Sequence, residues 1–357
     1  MTGAGPPEAP PAQKANARKA TLRDVSHLAG VSRMTVTRVF IQPDKVLPAT
    51  RARVQQAIIQ LGYVPDRAAG GLATRRSGFV GLILPTLANG NFAALAEGLS
   101  ETLQPADYEV LIGYTTYRLD EEERQVRTML SRRPEALVLA GSAHDATARR
   151  MLVHAGIPVI EIAELPEQPI GRAIGFSNHA VGMAAATFLL GLGHRRLAAL
   201  GPCRRFGRRD IRGEARLDGF VEVLHAAGMP TDLIRRDGEI PVSFQQGAFA
   251  MGALLDHAPD VDAVFAVSDL SAVGALMECR RRGIDVPDRI SVLGFGDFEI
   301  GQQMVPPLST IRVDFSQLGR RAGAMIIDLL ANELAAPDKS IDVGFTLTPR
   351  GTTRSVI

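Results

Sequence analysis

The chain has 357 residues, of which 46% are hydrophobic and 22% charged. This length and composition exclude a fibrous or broadly disordered protein and predict two or three domains. The formal net charge of +2 is unevenly distributed: residues 1–76 hold twelve Lys or Arg against four Asp or Glu, and residues 77–357 hold 28 against 34. A basic head on a mildly acidic body predicts a polyanionic partner for the head, unless the head is only a basic tail without a target.

Residues 1–20 are rich in proline and poor in bulky apolar residues, and they contain no apolar signal core. We therefore expect a disordered tail. A compact helical domain is predicted over residues 21–66. The glycines and the basic pair in the segment 67–76 are typical of a hinge or linker.

Three short helices are predicted in the helical domain. The first begins at a capping box that opens with Thr21, and it ends at Gly30, which can adopt a left-handed backbone. Ser32 can cap the second helix, while the third has Pro48 in its first turn and ends at Gly62. A tight glycine turn between the first two helices predicts a helix-turn-helix, whose second helix lies in the major groove of DNA.

The polar face of the second helix carries side chains suited to base contacts. Arg33 and Arg38 can each bind a guanine edge with two hydrogen bonds, Thr37 can hydrogen-bond, and Met34 can contact a thymine methyl group. The alternative is a small helical bundle with a solvated polar face. We predict that ten residues of the helical domain contact DNA, the last three of them through phosphates. They are Thr21, Leu22, Ser32, Arg33, Met34, Thr37, Arg38, Lys45, Thr50 and Tyr63.

From Phe79 onward, short apolar runs such as FVGLILP alternate with longer helical patterns. This alternation predicts parallel sheets that are covered by helices on both faces. The pattern restarts after residue 177, so we predict two α/β lobes with about five or six strands each. Two such lobes leave a cleft that faces the carboxyl ends of the strands.

Signatures of catalysis, cofactors and membrane spans are missing from the sequence. There is no GxxxxGK[ST] phosphate loop, GxSxG elbow or HExxH metal spacing, so we predict neither an enzyme nor a bound metal or cofactor. The longest mostly apolar stretch, AVGMAAATFLLGLG, is too short to span a bilayer. The two cysteines, Cys203 and Cys279, lack a partner motif and favour a reducing compartment. We expect a soluble, cytoplasmic protein without a membrane partner.

The stretch TLRDVSHLAGVSRMTVTRV, followed by TRARVQQAIIQLGYVPDRAAGGLA, resembles the DNA-binding head of the lac repressor family without gaps. The resemblance covers residues 20–357. It implies an N-terminal all-α helix-turn-helix head and a two-lobed α/β core of parallel sheets, similar to periplasmic sugar-binding proteins. In that family a small effector in the cleft changes the angle between the lobes. The partners implied are a pseudo-palindromic operator in double-stranded DNA and a second copy of the chain.

The resemblance also implies that the hinge, residues 67–76, forms a helix in the minor groove of the operator. Leu72 matches the family leucine that wedges between base steps, with Ala69 beside it. Gly70 and Gly71 each lower helix propensity by about 1 kcal/mol relative to Ala. We therefore expect a hinge that is disordered without DNA and becomes ordered only on a matched operator.

Family members cross between the two lobes about three times, which implies the domain limits of the effector-binding and dimerisation core, 77–357. Lobe 1 is expected over about 77–176 and 308–341, and lobe 2 over about 177–307 and 342–357. The residues after Val343 contain no heptads, so we expect no C-terminal tetramerisation coil and a homodimer.

Seven residues are candidates for the effector cleft. Arg216 matches the family arginine that binds ligand hydroxyls or carboxylates, whereas Gly296 stands where the family has an acid. Glu161 is included because it is a polar residue within an apolar strand. Core packing is the alternative for Phe92, and helix capping is the alternative for Asp269. The seven candidates are Asn91, Phe92, Glu161, Arg216, Ser268, Asp269 and Asp297.

Four segments, LPTLANGNFA, AIGFSN, SDLSAVGA and GFTLTPRGTT, resemble the repressors of gluconate use within that family. A sugar acid would suit Arg216, with Arg212 as a second candidate, because a guanidinium binds a carboxylate with two hydrogen bonds. The alternatives are a repressor that senses a neutral sugar or a sugar phosphate and, in a different class, a cytoplasmic sugar-acid binding protein or enzyme with a basic head.

Overall fold

The computed structural model describes residues 19–64, 77–202, 207–331 and 339–356. The chain divides into two compact units, Met1–Arg76 and Ser77–Ile357. All but the last two residues of the predicted tail, and the whole predicted hinge with Ala69 and Leu72, lie outside the described residues. Within the described ranges, no helix has the length and apolar character that crossing a bilayer requires.

The first unit contains the three predicted helices, which are α1 (Leu22–Ala29), α2 (Arg33–Ile41) and α3 (Pro48–Leu61). The capping box forms: the Thr21 amide donates to Asp24 Oδ2 at 2.8 Å, and the Asp24 amide donates to Thr21 Oγ1 at 3.4 Å. Gly30 takes the left-handed conformation, with φ of 63°. The Thr35 amide donates to Ser32 Oγ at 3.1 Å, so Ser32 caps α2 as predicted.

A small apolar core holds these helices together. Val25, Val36 and Val54 are fully buried, one on each helix. Leu28 and Phe40 also lie in the apolar pattern of their helices, but both side chains are exposed. Three short helices cover only a narrow stripe of one another, so residues at the margins of the stripes stay in contact with solvent.

The first lobe of the second unit is built on six strands, which are β1 (Phe79–Leu84), β2 (Glu109–Tyr114), β3 (Ala136–Ala140), β4 (Val159–Ile162), β5 (Arg172–Gly175) and β11 (Ser340–Asp342). Their order across the sheet is β11-β5-β4-β3-β1-β2, and every pair is parallel. Val80 and Leu82 enter one buried cluster, while Ile83 enters another. Both faces of this sheet are therefore covered, as predicted.

The second lobe is built on six further strands, which are β6 (Leu197–Pro202), β7 (Ile234–Gly238), β8 (Ala263–Ala266), β9 (Ser291–Phe295), β10 (Ser309–Arg312) and β12 (Thr346–Thr348). The order is β12-β10-β9-β8-β6-β7. All pairs are parallel except β10 with β12, which is antiparallel.

Helices connect these strands in the predicted alternation. The helices of the second unit are α4 (Gly90–Leu103), α5 (Leu119–Ser131), α6 (Ala146–Val153), α7 (Asn178–Gly191), α8 (Ile211–Ala226), α9 (Phe244–His257), α10 (Asp269–Arg281), α11 (Glu299–Gln302) and α12 (Phe315–Ala331). A helical head and a two-lobed core of largely parallel sheets confirm the predicted fold class.

One of the predicted lobe limits is wrong. Strand β10 belongs to the second sheet, because Ser309 pairs with Leu293 and Ile311 pairs with Phe295. The chain enters the first lobe only with α12, which packs against α4. The later crossing lies near Asp342, as expected, since β11 ends there in the first sheet and β12 follows in the second. Which sheet a short strand joins depends on its distant partners, and the sequence around a crossing does not specify those partners.

Glycines allow three pairs of helices to approach closely, namely α4 with α12, α7 with α8 and α9 with α10. In the second pair, a Cβ atom at Gly182 would lie 1.9 Å from the carbonyl oxygen of Arg216. A Cβ atom at Gly219 would lie 2.0 Å from the carbonyl oxygen of His179. The two backbones are thus in direct contact, which fixes the distance of α8 from α7.

We predict that Gly182→Ala lowers the free energy of unfolding by about 1–3 kcal/mol or more, because the added methyl group forces α7 and α8 apart. Urea unfolding of the full chain measures this change. Gly191→Ala, in the last turn of the same helix, is the matched control, since a Cβ atom there meets no atom within 4 Å. It should leave stability unchanged or raise it by up to about 1 kcal/mol. Equal effects of the two substitutions would contradict the prediction.

Candidate functional site

The exposed face of α2 carries the predicted base-contacting side chains. Arg33, Met34 and Arg38 are exposed to solvent, and Thr37 is half-buried. Thr37 Oγ1 donates to the carbonyl oxygen of Arg33 at 3.0 Å, which fixes its hydroxyl against the helix. The cap at Ser32 fixes where α2 begins, and both of its arginines are exposed to solvent.

The remaining predicted DNA-binding residues of the head surround this face or brace it. Ser32 and Lys45 are exposed, while Thr21 and Thr50 are half-buried. Thr21 is engaged with its capping partner at the start of α1. The last two predicted residues, Leu22 and Tyr63, pack against the buried core of the head.

A small cavity lies between the two lobes of the second unit. Its walls come from residues at the carboxyl ends of strands and from the adjoining helices and loops, which is the expected place for a ligand in sheets of this kind. The residues that line it are Asn89, Asn91, Phe92, Tyr117, Phe176, Asp210, Arg212, Arg216, Val242, Val267, Ser268, Phe295, Phe298 and Phe315. Four of the seven sequence-derived candidates are among them: Asn91, Phe92, Arg216 and Ser268.

Phenylalanine rings form much of this wall. Phe92 meets Phe315 edge to face, with ring centroids 6.1 Å apart. Phe176 contacts both Phe295 and Phe315, at 5.9 Å and 6.1 Å. Phe92 therefore packs in an aromatic cluster and also faces the cavity. Apolar walls with a few fixed polar groups are typical of sites for small organic ligands.

Arg216 is a buried cation without an acid partner among the described residues. Its Nη1 donates to Asn178 Oδ1 at 2.5 Å, and its guanidinium carbon lies 4.2 Å from the centroid of the Phe295 ring. Its buried Nε atom has no hydrogen-bond partner in the described part of the chain. Burial lowers the pKa of Arg216 to about 10, so the side chain remains charged near neutral pH. A charge held this way is stabilised by a bound anion.

Arg212 joins the two lobes across the cavity. It lies on α8, and its Nη1 donates to the carbonyl oxygen of Ala140 at 2.9 Å and to Glu164 Oε1 at 3.3 Å, both in the first lobe. Its guanidinium also lies 5.4 Å from the centroid of the Phe92 ring. Burial alone would lower the pKa of Arg212, but the negative charges of Glu164 and Asp210 outweigh this effect and raise it.

Glu161 does not line the cavity, so the prediction that it points into the cleft is wrong. Its Oε2 accepts a hydrogen bond from the Ile170 amide at 2.6 Å, and its Oε1 lies 3.4 Å from His144 Nε2. Along β4, Ile160 and Ile162 enter the cluster on one face, whereas Val159 enters the cluster on the opposite face. Since strand side chains alternate, Glu161 shares the face of Val159.

Asp269 and Asp297 likewise bind protein groups behind the cavity wall. Asp269 accepts from Thr310 Oγ1 at 2.7 Å and from the Phe298 amide at 2.9 Å, and burial raises its pKa to about 6. Asp297 pairs with Arg350 at 2.6 Å. Both acids hold the loop after β9, and the ligand-facing residue of this loop is Phe298.

Gly296 explains how this loop differs from the family pattern. Its φ is 126°, and a Cβ atom there would lie 2.8 Å from Phe298 Cε1 and 3.0 Å from Asn91 Nδ2. An acidic side chain at this position therefore has no room while Phe298 and Asn91 hold these places. The ring of Phe298 forms this part of the cavity wall.

The sequence analysis did not identify Tyr117 or Asp210. Tyr117 follows the end of β2 and lines the cavity together with Arg212, and burial raises its pKa well above the usual range, so its hydroxyl is neutral. Asp210 caps α8 and accepts from the Gly213 amide at 3.2 Å. The position after a strand could have indicated Tyr117. Within the described ranges, no group of three or more His, Cys, Asp or Glu residues is arranged to hold a metal ion.

Two family descriptions match the chain: bacterial regulatory proteins of the lacI family over residues 21–66, and a periplasmic binding protein-like domain over residues 186–353. The chain is 37% identical to the HTH-type transcriptional regulator GntR of Pseudomonas aeruginosa over 333 residues, 93% of this chain and 95% of the relative.

Two solved structures are also similar. The lacI-family transcriptional regulator from Silicibacter pomeroyi is 33% identical with a TM-score of 0.87, covering 94% of this chain and 99% of that one. The complex of the transcriptional regulator CelR with cellobiose is 30% identical with a TM-score of 0.66, covering 94% of this chain and 100% of that one.

His144 lies beside the carboxylates of Glu122 and Glu161 in the first lobe. This arrangement predicts that the stability of the chain depends on pH. Burial alone would lower the pKa of His144, but the hydrogen bond with Glu122 and the nearby carboxylate of Glu161 outweigh burial and raise the pKa from 6.5 to about 9. Protonated His144 therefore stabilises the folded chain. Its contribution to the free energy of unfolding is complete below pH 6.5 and is lost as the pH rises through 9. We expect this residue to contribute on the order of 2 kcal/mol of that loss, measured by urea unfolding between pH 6 and pH 9.5.

The variant His144→Gln should be less stable at pH 6 and should lack this part of the decline. His257→Gln, which removes an exposed histidine from α9, serves as the control and should follow the wild-type curve. Parallel curves for wild type and His144→Gln would contradict the assignment.

Proposed function

The chain belongs to the lacI family of bacterial regulatory proteins, and on this basis we propose that it is a repressor whose operator binding is controlled by a sugar acid in the interlobe cavity. The membership makes it a DNA-binding transcriptional regulator with a sugar-binding type of core, not an enzyme. The effector and the residues that contact DNA are the parts that we propose.

The exposed side chains of α2 support the proposed contacts to the operator. Arg33 and Arg38 project from a helix whose start is fixed by Ser32, and bidentate contacts to guanine discriminate between bases by roughly 1–3 kcal/mol each. Lys45 is exposed beyond the end of α2, where it suits a phosphate contact. We assign sequence recognition to α2 and orientation on the duplex to the residues around it.

One observation carries the proposal of a sugar acid, namely that Arg216 is a buried cation without an acid partner among the described residues. A carboxylate would lie against this guanidinium and would accept a hydrogen bond from the unused Nε atom. The aromatic wall suits the carbon chain of a sugar, and Asn91 and Ser268 suit its hydroxyl groups. The resemblance of four segments to repressors of gluconate use makes gluconate, or a related sugar acid, the first effector to test.

A neutral sugar is the second candidate. The similar regulator CelR was solved in complex with cellobiose, at 30% identity to this chain over nearly its whole length. A neutral sugar would use the same aromatic and amide groups but would leave the charge of Arg216 unmatched. Titration calorimetry with gluconate and glucose separates the two candidates.

To test the function, genomic fragments that the purified full chain retains at physiological salt are sequenced, with and without gluconate. We expect a few sites that share a palindrome, with retention that changes when gluconate is added. Arg38→Ala should weaken binding to such a site roughly tenfold to a hundredfold, whereas Arg53→Ala, which removes an exposed arginine of α3, should change it less.

Arg216→Lys should keep operator binding and lose the response to gluconate, because a lysine cannot offer the planar fork of donors. If all fragments were retained equally and were released as salt is raised, the head would bind DNA only nonspecifically, as a polycation. An unchanged gluconate response in Arg216→Lys would refute the proposed effector site.

The edge strand β2 supports the proposed homodimer. It ends the first sheet, and Leu111, Ile112 and Tyr114 are 37%, 43% and 47% exposed there. An exposed apolar edge strand is a ready surface for association. A second copy of the chain would cover these side chains in a symmetric arrangement.

We predict that the full chain sediments with the mass of two subunits, and that Ile112→Glu shifts it towards one subunit because a charge then lies in the contact. Val153→Glu is the control, since Val153 is also exposed in the first lobe but lies on α6. A mass of four subunits for the wild type, or an unchanged mass for Ile112→Glu, would contradict the assignment.

A further inference from the structure

The charged groups around the cavity balance one another. Arg212 and Arg216 supply two positive charges, and Asp210 and Glu164 supply two negative ones. Asp210 is held at the start of α8, where the Gly213 amide donates to it. The cavity as a whole thus offers little net positive charge, although it contains two arginines.

Glu164 forms an ion pair with one of these arginines, Arg212. Its Oε1 lies 3.3 Å from Arg212 Nη1, and its Oε2 accepts from Ser142 Oγ at 2.5 Å. The two charged side chains are 12% and 9% exposed, so solvent screens the pair weakly. The same Nη1 atom also donates to the carbonyl oxygen of Ala140. The charge of Arg212 is therefore paired in the first lobe, whereas Arg216 has no carboxylate within ion-pair distance among the described residues.

We propose that Glu164 limits the effector to a single negative charge. It does so by neutralising Arg212, so that a monocarboxylate sugar acid bound at Arg216 is accepted while a dianion is rejected. The second charge of a sugar diacid or of a phosphorylated sugar acid would meet no free cation among the described wall residues and would be repelled by Glu164 and Asp210. This inference rests on the proposed function, because it specifies the charge class of the sugar acid.

The competing explanation is that the Glu164–Arg212 pair only holds the two lobes together. In that case, removing the carboxylate changes the affinity of every ligand by the same factor. If Glu164 instead selects ligands by charge, removing its carboxylate changes the affinity for dianions more than the affinity for monoanions. The ratio of dianion to monoanion affinity therefore separates the two roles.

Titration calorimetry of the full chain with gluconate, glucarate and gluconate 6-phosphate tests the inference. For the wild type we expect gluconate to bind at least about tenfold more tightly than glucarate or gluconate 6-phosphate, each of which carries two or more negative charges. Glu164→Gln keeps an oxygen that can accept from Ser142 but removes the charge, so glucarate should gain about tenfold relative to gluconate. The control Glu167→Gln removes the same charge from an exposed position in the same loop and should leave the ratio unchanged.

Each outcome decides the question. If the wild type binds none of the three ligands, the sugar-acid function fails and the inference fails with it. If gluconate binds but glucarate binds equally well, the charge limit is overturned and the sugar-acid function stands. If Glu164→Gln changes the affinities for gluconate and glucarate by the same factor, the charge limit is also overturned. The Glu164–Arg212 pair then only holds the two lobes together. The wild-type comparison needs no variant and holds even if Glu164→Gln does not fold.

Discussion

The backbone contact between α7 and α8 positions much of the cavity. Gly182 leaves room for the carbonyl oxygen of Arg216, and the first residue of α7, Asn178, accepts a hydrogen bond from the guanidinium of the same arginine. One helix therefore holds both the backbone and the side chain of Arg216. A shift of about 1 Å between the helices would weaken both this hydrogen bond and the contact with the Phe295 ring. The candidate anion site thus depends on the absence of a side chain at Gly182.

Much of the architecture could be predicted because its signals are local. The capping box at Thr21, the cap at Ser32 and the left-handed glycine at residue 30 each specify a helix end within a few residues. The alternation of short apolar runs with helical patterns similarly indicates parallel sheets. Local signals do not decide which sheet a strand joins, so β10 was assigned to the wrong lobe.

The cavity was harder to predict than the fold. Asn91, Phe92, Arg216 and Ser268 could be placed at the ends of strands or on a helix near the cleft, and the structure brings them to one wall. An acid at the end of a strand can also turn away from the cleft to hold a loop, as Asp269 does. The side of the sheet that Glu161 faces follows from the register of β4 with its neighbours. Only the assembled sheet supplies that register.

The hydrogen bond from Thr37 Oγ1 to the carbonyl oxygen of Arg33 uses the only proton of the hydroxyl. While this bond is kept, the Thr37 oxygen can only accept. In the major groove, cytosine N4 and adenine N6 are the groups that donate, whereas the hydrogen-bonding groups of guanine and thymine accept. For the proposed contact of α2 with the operator, a base that hydrogen-bonds the Thr37 oxygen must therefore donate, as cytosine and adenine do.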